Sequence, residues 1–278
     1  NKKFISEAKA IFFIILAVLL IKVTVVEAYI VPTGSMENTI MTGDFLIGSR
    51  FVYGMRTPDW LGIPYTDIGF FIPYYKFPAF KIPKVGDVLI FKYPRDIYVK
   101  YVKRCVAGPG DTLTISDKKL FVNRQLVPMW ENGKFLAPPM QKTLSQPDIY
   151  LSSDVNINRD NLGPVYIPKN GDVFSIHDDT NWRYLLPIIL MEGHKASLRN
   201  DDVVYEFTLQ DPNEIFRRKG NETVFEEYFP YGGNLITPWS ESLRPEHFKY
   251  LIIDGKPVEE YSEFIVKQNY YWAMGDNR

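Results

Sequence analysis

An unbroken apolar run near the start of the chain constrains the fold more than any other feature. Residues 10–21 read AIFFIILAVLLI, and the segment stays largely apolar as far as Ala28. A helix over residues 10–28 would be roughly 30 Å long at about 1.5 Å per residue, close to the hydrocarbon thickness of a bilayer. Lys22 lies near one end, where its long side chain can carry the ammonium to the headgroups. The pattern therefore predicts one N-terminal transmembrane anchor at residues 10–28.

The charges on either side of the run predict its orientation. The acidic Glu27 lies at its far end, and the basic residues that precede it are Lys2, Lys3 and Lys9. The positive-inside rule then puts residues 1–9 in the cytoplasm and everything after Ala28 on the other side. A cleavable signal peptide, with a small-residue site at Val26 and Ala28, is the alternative interpretation. A buried core helix fits less well, because the run is apolar on every face.

The composition is that of a folded protein. Of the 278 residues, 46% are hydrophobic, 23% are charged and 15% are aromatic, which is enough apolar material for a core. The net charge of -1 argues against a general nucleic-acid binder, which would present a strongly basic face. The single cysteine, Cys105, cannot form an internal disulfide. The chain starts without Met and stops at MGDNR, as expected if both ends are trimmed.

Beyond the anchor the sequence predicts strands. Segments such as DFLIGSRFVYG, DVLIFKYP and IYVKYVKRCVAG are rich in β-branched and aromatic residues and are bounded by Gly, Pro and Asp. Two segments are alike, PKVGDVLIF at 83–91 and PKNGDVFSI at 168–176. Either each is a similar turn that leads into a strand, or the two result from a duplicated domain. The stretch between Asp111 and Tyr270 predicts a second, partly β subdomain inserted into the first. Within it, DPNEIFRRKG at 211–220 predicts a short helix.

Several kinds of catalytic site have no supporting motif. The three histidines stand alone, without HExxH or paired Cys/His spacing, at His177, His194 and His247. There is no GxxxxGK[ST] motif, no dinucleotide fingerprint and no GxSxG elbow. A histidine-based triad would need a histidine tied to a serine, and no pattern supplies one. No metal, nucleotide or other cofactor is therefore predicted.

A lysine on a predicted strand is a candidate general base. If IYVKYVKRCVAG is a strand, alternate residues share a face. Lys103 then lies in a row with Ile97, Val99, Tyr101 and Cys105. Lys100 and Arg104 point to the opposite face. Burial disfavours the charged ammonium, so the pKa of Lys103 should fall toward neutrality, and a neutral amine beside a hydroxyl acts as a general base. The alternative is that Lys103 extends to solvent or pairs with Asp87 or Asp111.

The stretch VPTGSMENTI at residues 31–40 is a candidate site for a nucleophile. Pro32 stiffens the approach from the apolar run, and Gly34 lets the backbone come close to a ligand. Ser35 follows directly, and its amide, with the Thr33 hydroxyl, would aim two donors at a developing oxyanion. A lysine can activate such a serine. A plain turn that leads away from the membrane is the alternative interpretation.

Taken in order, these segments resemble one known family. PTGSM after an apolar anchor, GDFLIGSRFVYG, VGDVLIF, YVKRCVAGPGD and a late MGDNR follow one another as in bacterial type I signal peptidases. Members of that family are membrane-anchored Ser-Lys proteases that remove signal peptides from exported proteins. The motifs cover Pro32 to Asp111 and Met274 to Arg278, and none of them covers the inserted segment.

The resemblance implies roles for individual residues. Ser35 would be the nucleophile and Lys103 the general base, and the Ser35 amide with the Thr33 hydroxyl would form the oxyanion hole. Shallow apolar pockets, which suit an Ala-x-Ala pattern before the scissile bond, would be lined by Tyr29, Val31, Met36, Ile40 and Val102. A strand-end box beside the dyad is matched by Gly275, Asp276 and Asn277.

The chain departs from the family pattern in places. Thr33 stands where a serine is usual, and its hydroxyl keeps the oxyanion role. Asn38 replaces a common proline and CVAGPGD replaces the commoner VVGLPGD, changes that concern turn rigidity more than chemistry. The family normally continues past GDNR with Ser, Asp and Arg that support the lysine. Here the sequence stops at Arg278, as in a truncated chain or in a copy that lacks this support.

The resemblance also implies an architecture and a location. We expect a mainly β fold, with a signal-peptidase-like catalytic β core at 29–112, an inserted and mostly β subdomain at 113–269, and a return strand at 270–278. One transmembrane helix at 10–28 precedes the core. The enzyme would be a single-pass protein of the bacterial cytoplasmic membrane, with its catalytic domain outside the cytoplasm. Its partners would be preproteins with signal peptides, membrane lipid and the nearby export channel, and no nucleic acid.

Two other kinds of function are compatible with parts of the sequence. A catalytically inactive relative would use its aromatic insert as a membrane-tethered interaction module, but the presence of both Ser35 and Lys103 argues against it. A self-cleaving Ser-Lys regulator of the SOS-repressor type would share the dyad. It would need an internal cleavage site and usually a DNA-binding domain, and an anchor stands where that domain would be.

Overall fold

Short strands, most of them antiparallel, make up the larger part of the secondary structure. The computed structural model describes residues 2–54, 57, 60–62, 69–73, 75, 77–146, 157–200, 203–210, 234–240 and 243–278. Contacts divide the chain into two units, Asn1–Lys84 and Val85–Arg278. Strands outnumber helices in the described parts of both units, which confirms the expectation of a mainly β fold.

The first unit contains one α-helix and two strand pairs within its described residues. Its elements are α1 (Lys2–Thr24), β1 (Val26–Ile30), β2 (Phe45–Ser49), β3 (Trp60–Gly62) and β4 (Gly69–Phe71). β1 pairs antiparallel with β2, with Val26 opposite Ser49 and Ile30 opposite Phe45. β3 pairs antiparallel with β4. Among the described residues, no helix combines the length and the apolar character needed to cross a membrane.

The second unit contains one described α-helix, α2 (Trp182–Met191), and many strands. The strands are β5 (Val88–Tyr93), β6 (Asp96–Ala107), β7 (Thr112–Ser116), β8 (Lys119–Val122), β9 (Gln125–Val127), β10 (Leu162–Tyr166), β11 (Val173–Ser175), β12 (Ala196–Asn200), β13 (Val203–Phe207), β14 (Leu235–Ile236), β15 (Leu251–Ile253), β16 (Lys256–Pro257), β17 (Glu263–Ile265) and β18 (Trp272–Met274). The strand orders are β18-β6-β5, β10-β7-β8-β9, β11-β17 and β14-β13-β12-β15-β16. Only the β13–β14 pair among these is parallel.

Tight turns set the register of the hairpins in this unit. The β7–β8 turn uses Asp117 (φ 49°) and Lys118 (φ 67°), and the β8–β9 turn uses Asn123 (φ 52°) and Arg124 (φ 66°). Two successive residues with positive φ match the twist of the flanking strands, and Asp and Asn tolerate this conformation better than most residues. A two-residue loop leaves no slack, so these turns fix which residues face each other across the strands.

Two apolar cores stabilise the second unit. One includes α2 and the neighbouring strands, where Leu186, Ile189 and Leu251 are fully buried. The other lies on the sheet formed by β7, β8 and β10, and it includes Leu113. The second core extends to Ala107, so the C-terminal end of β6 is fixed by close packing.

Helix α2 is the element that the sequence pattern does not indicate. It contains Pro187 and adjacent isoleucines, which lower helix propensity. Burial of Leu185, Leu186 and Ile189 offsets this disadvantage, because tertiary packing supplies most of the stability of a short helix. The short helix predicted at 211–220 lies outside the described residues.

The two similar segments found in the sequence share a turn that leads into a strand. Gly86 (φ 101°) precedes β5 and Gly171 (φ 89°) precedes β11. The Gly86 N–H donates to the Cys105 carbonyl and the Gly171 N–H to the Val266 carbonyl, both at 2.8 Å. Each glycine adopts a conformation that other residues rarely adopt, and each ties its turn to a partner strand. This shared turn accounts for the likeness.

Replacement of Gly163 is expected to destabilise the fold. Gly163 lies in β10 with φ 100°, and a Cβ there would be 2.6 Å from the Leu113 carbonyl oxygen. Gly163→Ala adds backbone strain to a clash with backbone, so we expect the free energy of unfolding to fall by at least about 2 kcal/mol. Gly171→Ala is the control, because φ is 89° but no atom lies within 4 Å of the added carbon. Denaturant unfolding should show a loss of only about 1 kcal/mol there, and equal losses would contradict the clash.

Candidate active site

Ser35 lies on a short turn between the first two strands. Gly34–Met36 form one turn of 3-10 helix shortly after β1. The Val31 N–H donates to the Asp44 carbonyl at 3.0 Å, and the Gly43 N–H donates to the Val31 carbonyl at 2.9 Å. These hydrogen bonds tie together the two ends of the loop that carries Ser35. A loop closed in this way can hold a nucleophile in one orientation.

Residues that the sequence predicts to line a pocket lie on β1 and on this loop. Met36 and Val31 are buried, with 1% and 4% of their surface exposed. Tyr29 and Ile40 are partly buried, and the Ile40 N–H donates to the Met36 carbonyl at 2.7 Å. Thr33 is exposed, and its side chain makes no cap hydrogen bond to the turn. Their contacts with a substrate stay predictions.

Asn38 gives a structural meaning to one departure from the family pattern. Its φ is 72°, in the left-handed region. The ring of proline fixes φ near −65°, so the proline that is common at this position cannot adopt this backbone. Asparagine enters the left-handed region more readily than most residues. Proline therefore cannot replace Asn38 in the loop after Ser35 without a change in backbone conformation.

Lys103 lies in β6, opposite Leu89 of β5. Its Nζ is 5.2 Å from the centre of the Tyr101 ring, two residues earlier on the strand. The predicted alternation, which put Lys103 and Tyr101 on one face, is confirmed at this pair. Burial lowers the pKa of Lys103 from its ordinary value of 10.5. Val102, the pocket residue that belongs to this unit, lies opposite Ile90.

Arg104, the next residue on β6, forms a buried ion pair that the sequence analysis missed. Its Nε lies 2.8 Å from Asp276 Oδ1, and its Nη2 lies 2.6 Å from Asp276 Oδ2. Its Nη1 also donates to the Gly86 carbonyl at 2.8 Å. The two side chains are 14% and 3% exposed, so this bidentate pair is largely shielded from water. The sequence contains one sign of this ion pair, because an arginine directly follows the candidate base and points to the other face of the strand.

The strand-end box reaches β6 through β18. Met274 lies opposite Arg104, and Gly275 leads from it to the buried Asp276. Asn277 is also buried and forms a parallel β-bridge with Lys134. Within the second unit, the strand-end box thus contacts Arg104, the residue that follows Lys103. A supporting role in catalysis for this box stays a prediction.

Other potentially reactive side chains among the described residues are buried or hydrogen-bonded within the fold. Cys105 is buried, and burial is the main cause that raises the pKa of its thiol to about 11. His194 Nδ1 lies 2.6 Å from Asp254 Oδ2, and His247 Nδ1 accepts the Arg244 N–H at 3.2 Å. The described residues contain no group of three or more His, Cys, Asp or Glu that could hold a metal ion.

The described residues form a mainly β protein, with a serine on a tied loop of the first unit and a partly buried lysine on a strand of the second unit. A family model described as "Signal peptidase, peptidase S26" matches residues 4–278. The chain belongs to this signal peptidase family.

Several similar proteins are named Signal peptidase I. Signal peptidase I of Pseudomonas aeruginosa is 35% identical over 202 residues, which are 71% of this chain and 61% of that protein. Signal peptidase I of Rickettsia typhi is 28% identical over 194 residues, 64% of this chain and 71% of that protein. Signal peptidase I of Rickettsia canadensis is 31% identical over 145 residues, 52% of each chain. The chain spans about half the length of the last protein and of several other Rickettsia relatives.

Proposed function

We propose that this protein is a membrane-tethered serine endopeptidase that removes N-terminal signal peptides from exported preproteins after small residues. Membership of the signal peptidase family supports this reaction class. Ser35 is the nucleophile and Lys103 the general base. Residues 29–112 and 270–278 form the catalytic core, and residues 113–269 form the inserted subdomain.

The partial burial of Lys103 is the observation that carries the mechanism. An amine can take a proton from serine only when it is neutral, and an exposed lysine is almost fully protonated at neutral pH. Burial on β6 lowers the pKa of Lys103, and desolvation is the cause. A larger fraction of the side chain is then neutral at physiological pH. A general base in a Ser-Lys dyad needs this property.

Acylation and deacylation then use the same two side chains. Lys103 accepts the hydroxyl proton as Ser35 Oγ attacks the carbonyl carbon of the scissile bond. The Ser35 amide and the Thr33 hydroxyl donate to the oxyanion that forms. Protonated Lys103 gives its proton to the leaving amine, and a water activated by Lys103 then hydrolyses the ester. Thr33 makes no cap hydrogen bond, which is compatible with this role.

Shallow apolar pockets select the substrate. The segment before the scissile bond lies extended along β1, so that its first and third residues point the same way. We assign the pocket floor to Val31 and Met36, both of which are buried, so that only small side chains fit. The residues that the family resemblance assigns to these pockets are Tyr29, Val31, Met36, Ile40 and Val102. These pockets suit an Ala-x-Ala pattern.

The helix α1 supports attachment to a membrane. Its 23 residues would extend for roughly 35 Å at about 1.5 Å per residue. Five consecutive apolar side chains are between 53% and 63% exposed, and they are Ile11, Phe12, Phe13, Ile14 and Ile15. Consecutive residues of a helix point in different directions, so this segment presents apolar surface all round, which lipid can cover. A tether in the bacterial cytoplasmic membrane, near the export channel, raises the effective concentration of preproteins.

Processing of a preprotein by the full chain in detergent micelles tests the proposal. We expect cleavage after the second Ala of an Ala-x-Ala site, identified by mass spectrometry of the new N-terminus. The control is the same preprotein with Leu at both Ala positions, which should be cleaved at least roughly tenfold more slowly because its side chains exceed the pockets. Binding of preprotein without any cleavage would overturn the proposal in favour of an inactive interaction module.

A further inference from the structure

We propose that Glu27 and Arg50 are positioning residues that hold the Tyr29 side chain and thereby set the width of the pocket that it lines. The inference rests on the proposed function, because it concerns the choice of substrate at the same site. All three residues lie in the first unit, on β1 and directly after β2.

A chain of two polar contacts joins these side chains. The Tyr29 hydroxyl donates to Glu27 Oε2 at 2.6 Å. The same carboxylate oxygen lies 3.3 Å from Arg50 Nη1. The Glu27 and Arg50 side chains are 20% and 24% exposed, so water competes for these contacts only in part. The phenol is thus attached to a carboxylate that is itself held from a second strand.

This arrangement follows from the register of the β1–β2 pair. Glu27 and Tyr29 are two residues apart on β1, so their side chains share a face. Gly48 lies directly opposite Glu27 and has no side chain to fill the space. Arg50 lies two positions further, and its N–H donates to the Val25 carbonyl at 3.0 Å. A long side chain reaches such a diagonal neighbour across an antiparallel pair.

The position of Tyr29 along β1 identifies which substrate residue it meets. Ser35 attacks the carbonyl of the first residue before the scissile bond, and Val31 is closer to Ser35 along the chain than Tyr29 is. In an extended substrate, side chains on one face repeat every roughly 6.5–7 Å, which is also the spacing between alternate residues of β1. With Val31 beside the first substrate residue, Tyr29 is beside the third.

An anchored phenol gives that pocket a fixed wall. A tyrosine ring that is free to turn about its side-chain bonds can move aside for a larger group. The contact with Glu27 removes this freedom, and the contact with Arg50 keeps the carboxylate in place. Small third residues are then preferred over larger ones for steric reasons. Glu27 and Arg50 act through Tyr29 and do not themselves touch the reacting atoms.

Cleavage of paired peptides by the full chain in detergent micelles tests the inference. One pair differs only in Ala or Leu at the third residue before the scissile bond, and a second pair differs in the same way at the first residue. For Tyr29→Phe and Glu27→Ala we expect the ratio of kcat/KM for the first pair to fall by roughly tenfold or more, the factor that one hydrogen bond to a charged group supplies. Glu27→Gln keeps an acceptor for the hydroxyl and should retain most of the wild-type ratio.

The second pair and one control variant separate positioning from general damage. The Ala/Leu ratio at the first residue should stay unchanged in every variant. Ala28→Ser, on the exposed opposite face of β1, should alter neither ratio. An unchanged third-residue ratio in Tyr29→Phe and Glu27→Ala, with active wild type, overturns the inference and leaves the proposed function intact. Equal changes at both positions also overturn it, and wild type that cleaves no peptide overturns the proposed function and the inference together.

Discussion

Ser35→Ala and Lys103→Met are each expected to lower kcat/KM for an Ala-x-Ala preprotein by at least roughly 10³-fold. Ala lacks the attacking oxygen. Met has a similar apolar stem to lysine but no group that can take a proton. Because the two side chains act as a unit, the double variant should be no slower than the slower single variant. The rates are measured by following the mature product over time.

Two matched variants control for nonspecific damage. Lys100→Met changes a lysine three residues earlier on β6 that points to the other face, opposite Lys92. Ser49→Ala changes an exposed serine at the end of β2. Both should stay within about threefold of wild type, since neither side chain is buried in a core and such substitutions alter the fold little. If Lys103→Met cleaved as fast as Lys100→Met, Lys103 would not be the base.

The pH dependence follows from the lowered pKa of Lys103. The base works only when it is neutral, so kcat/KM should rise with pH until the ammonium has lost its proton. Burial lowers the pKa of Lys103, so this rise should be centred below the ordinary lysine value of 10.5. A rise centred at 10.5 itself would show that burial does not act on the base in the working enzyme.

Loss of the ion pair between Arg104 and Asp276 is expected to have the largest effect on stability. Asp276→Ala leaves a guanidinium that is only 14% exposed without its bidentate partner. Breaking such a buried pair lowers the free energy of unfolding by about 3–5 kcal/mol. Asp276 lies two residues beyond β18, and Arg104 follows Lys103, so we also expect kcat to fall. Urea denaturation and preprotein cleavage measure the two effects.

A double-mutant cycle distinguishes the pair from its separate residues. Arg104→Met combined with Asp276→Ala removes both charges, and it should be more stable than Asp276→Ala alone, since no buried charge is left unpaired. The control is the exposed pair Lys142–Asp117, with a separation of 3.3 Å and side chains 62% and 52% exposed. Asp117→Asn should lower stability by less than about 1 kcal/mol. Strictly additive losses across the cycle would contradict coupling between Arg104 and Asp276.

Local pattern in the sequence predicts β6 well. Its alternation put Lys103 beside Tyr101 and put Arg104 on the other face, and the structure agrees at these residues. The strand period of two depends only on backbone geometry, so it can be derived from the order of residues alone. The same holds for the turn at Gly86, where sequence and positive φ agree.

Local pattern fails where tertiary packing overrides propensity. Helix α2 contains Pro187 and forms nevertheless, because its leucines and isoleucines are buried in a core that includes residues far away in the chain. The conformation of Asn38 is another such case. It lies in the loop between β1 and β2 and has a φ of 72°. The family pattern, which has proline at this position, does not indicate it.

The sequence by itself determined which side chains could carry the chemistry of this protein: a serine after glycine, a lysine in an alternating strand and an apolar N-terminal run. The tertiary structure decided their partners. Arg104 and Asp276 are separated by 172 positions in the chain. They meet because the pairing of β18 with β6 shifts by one residue between Trp272 and Ala273, which places Met274 opposite Arg104. A bulge of this kind depends on how two strands pack together, and neither strand alone encodes it.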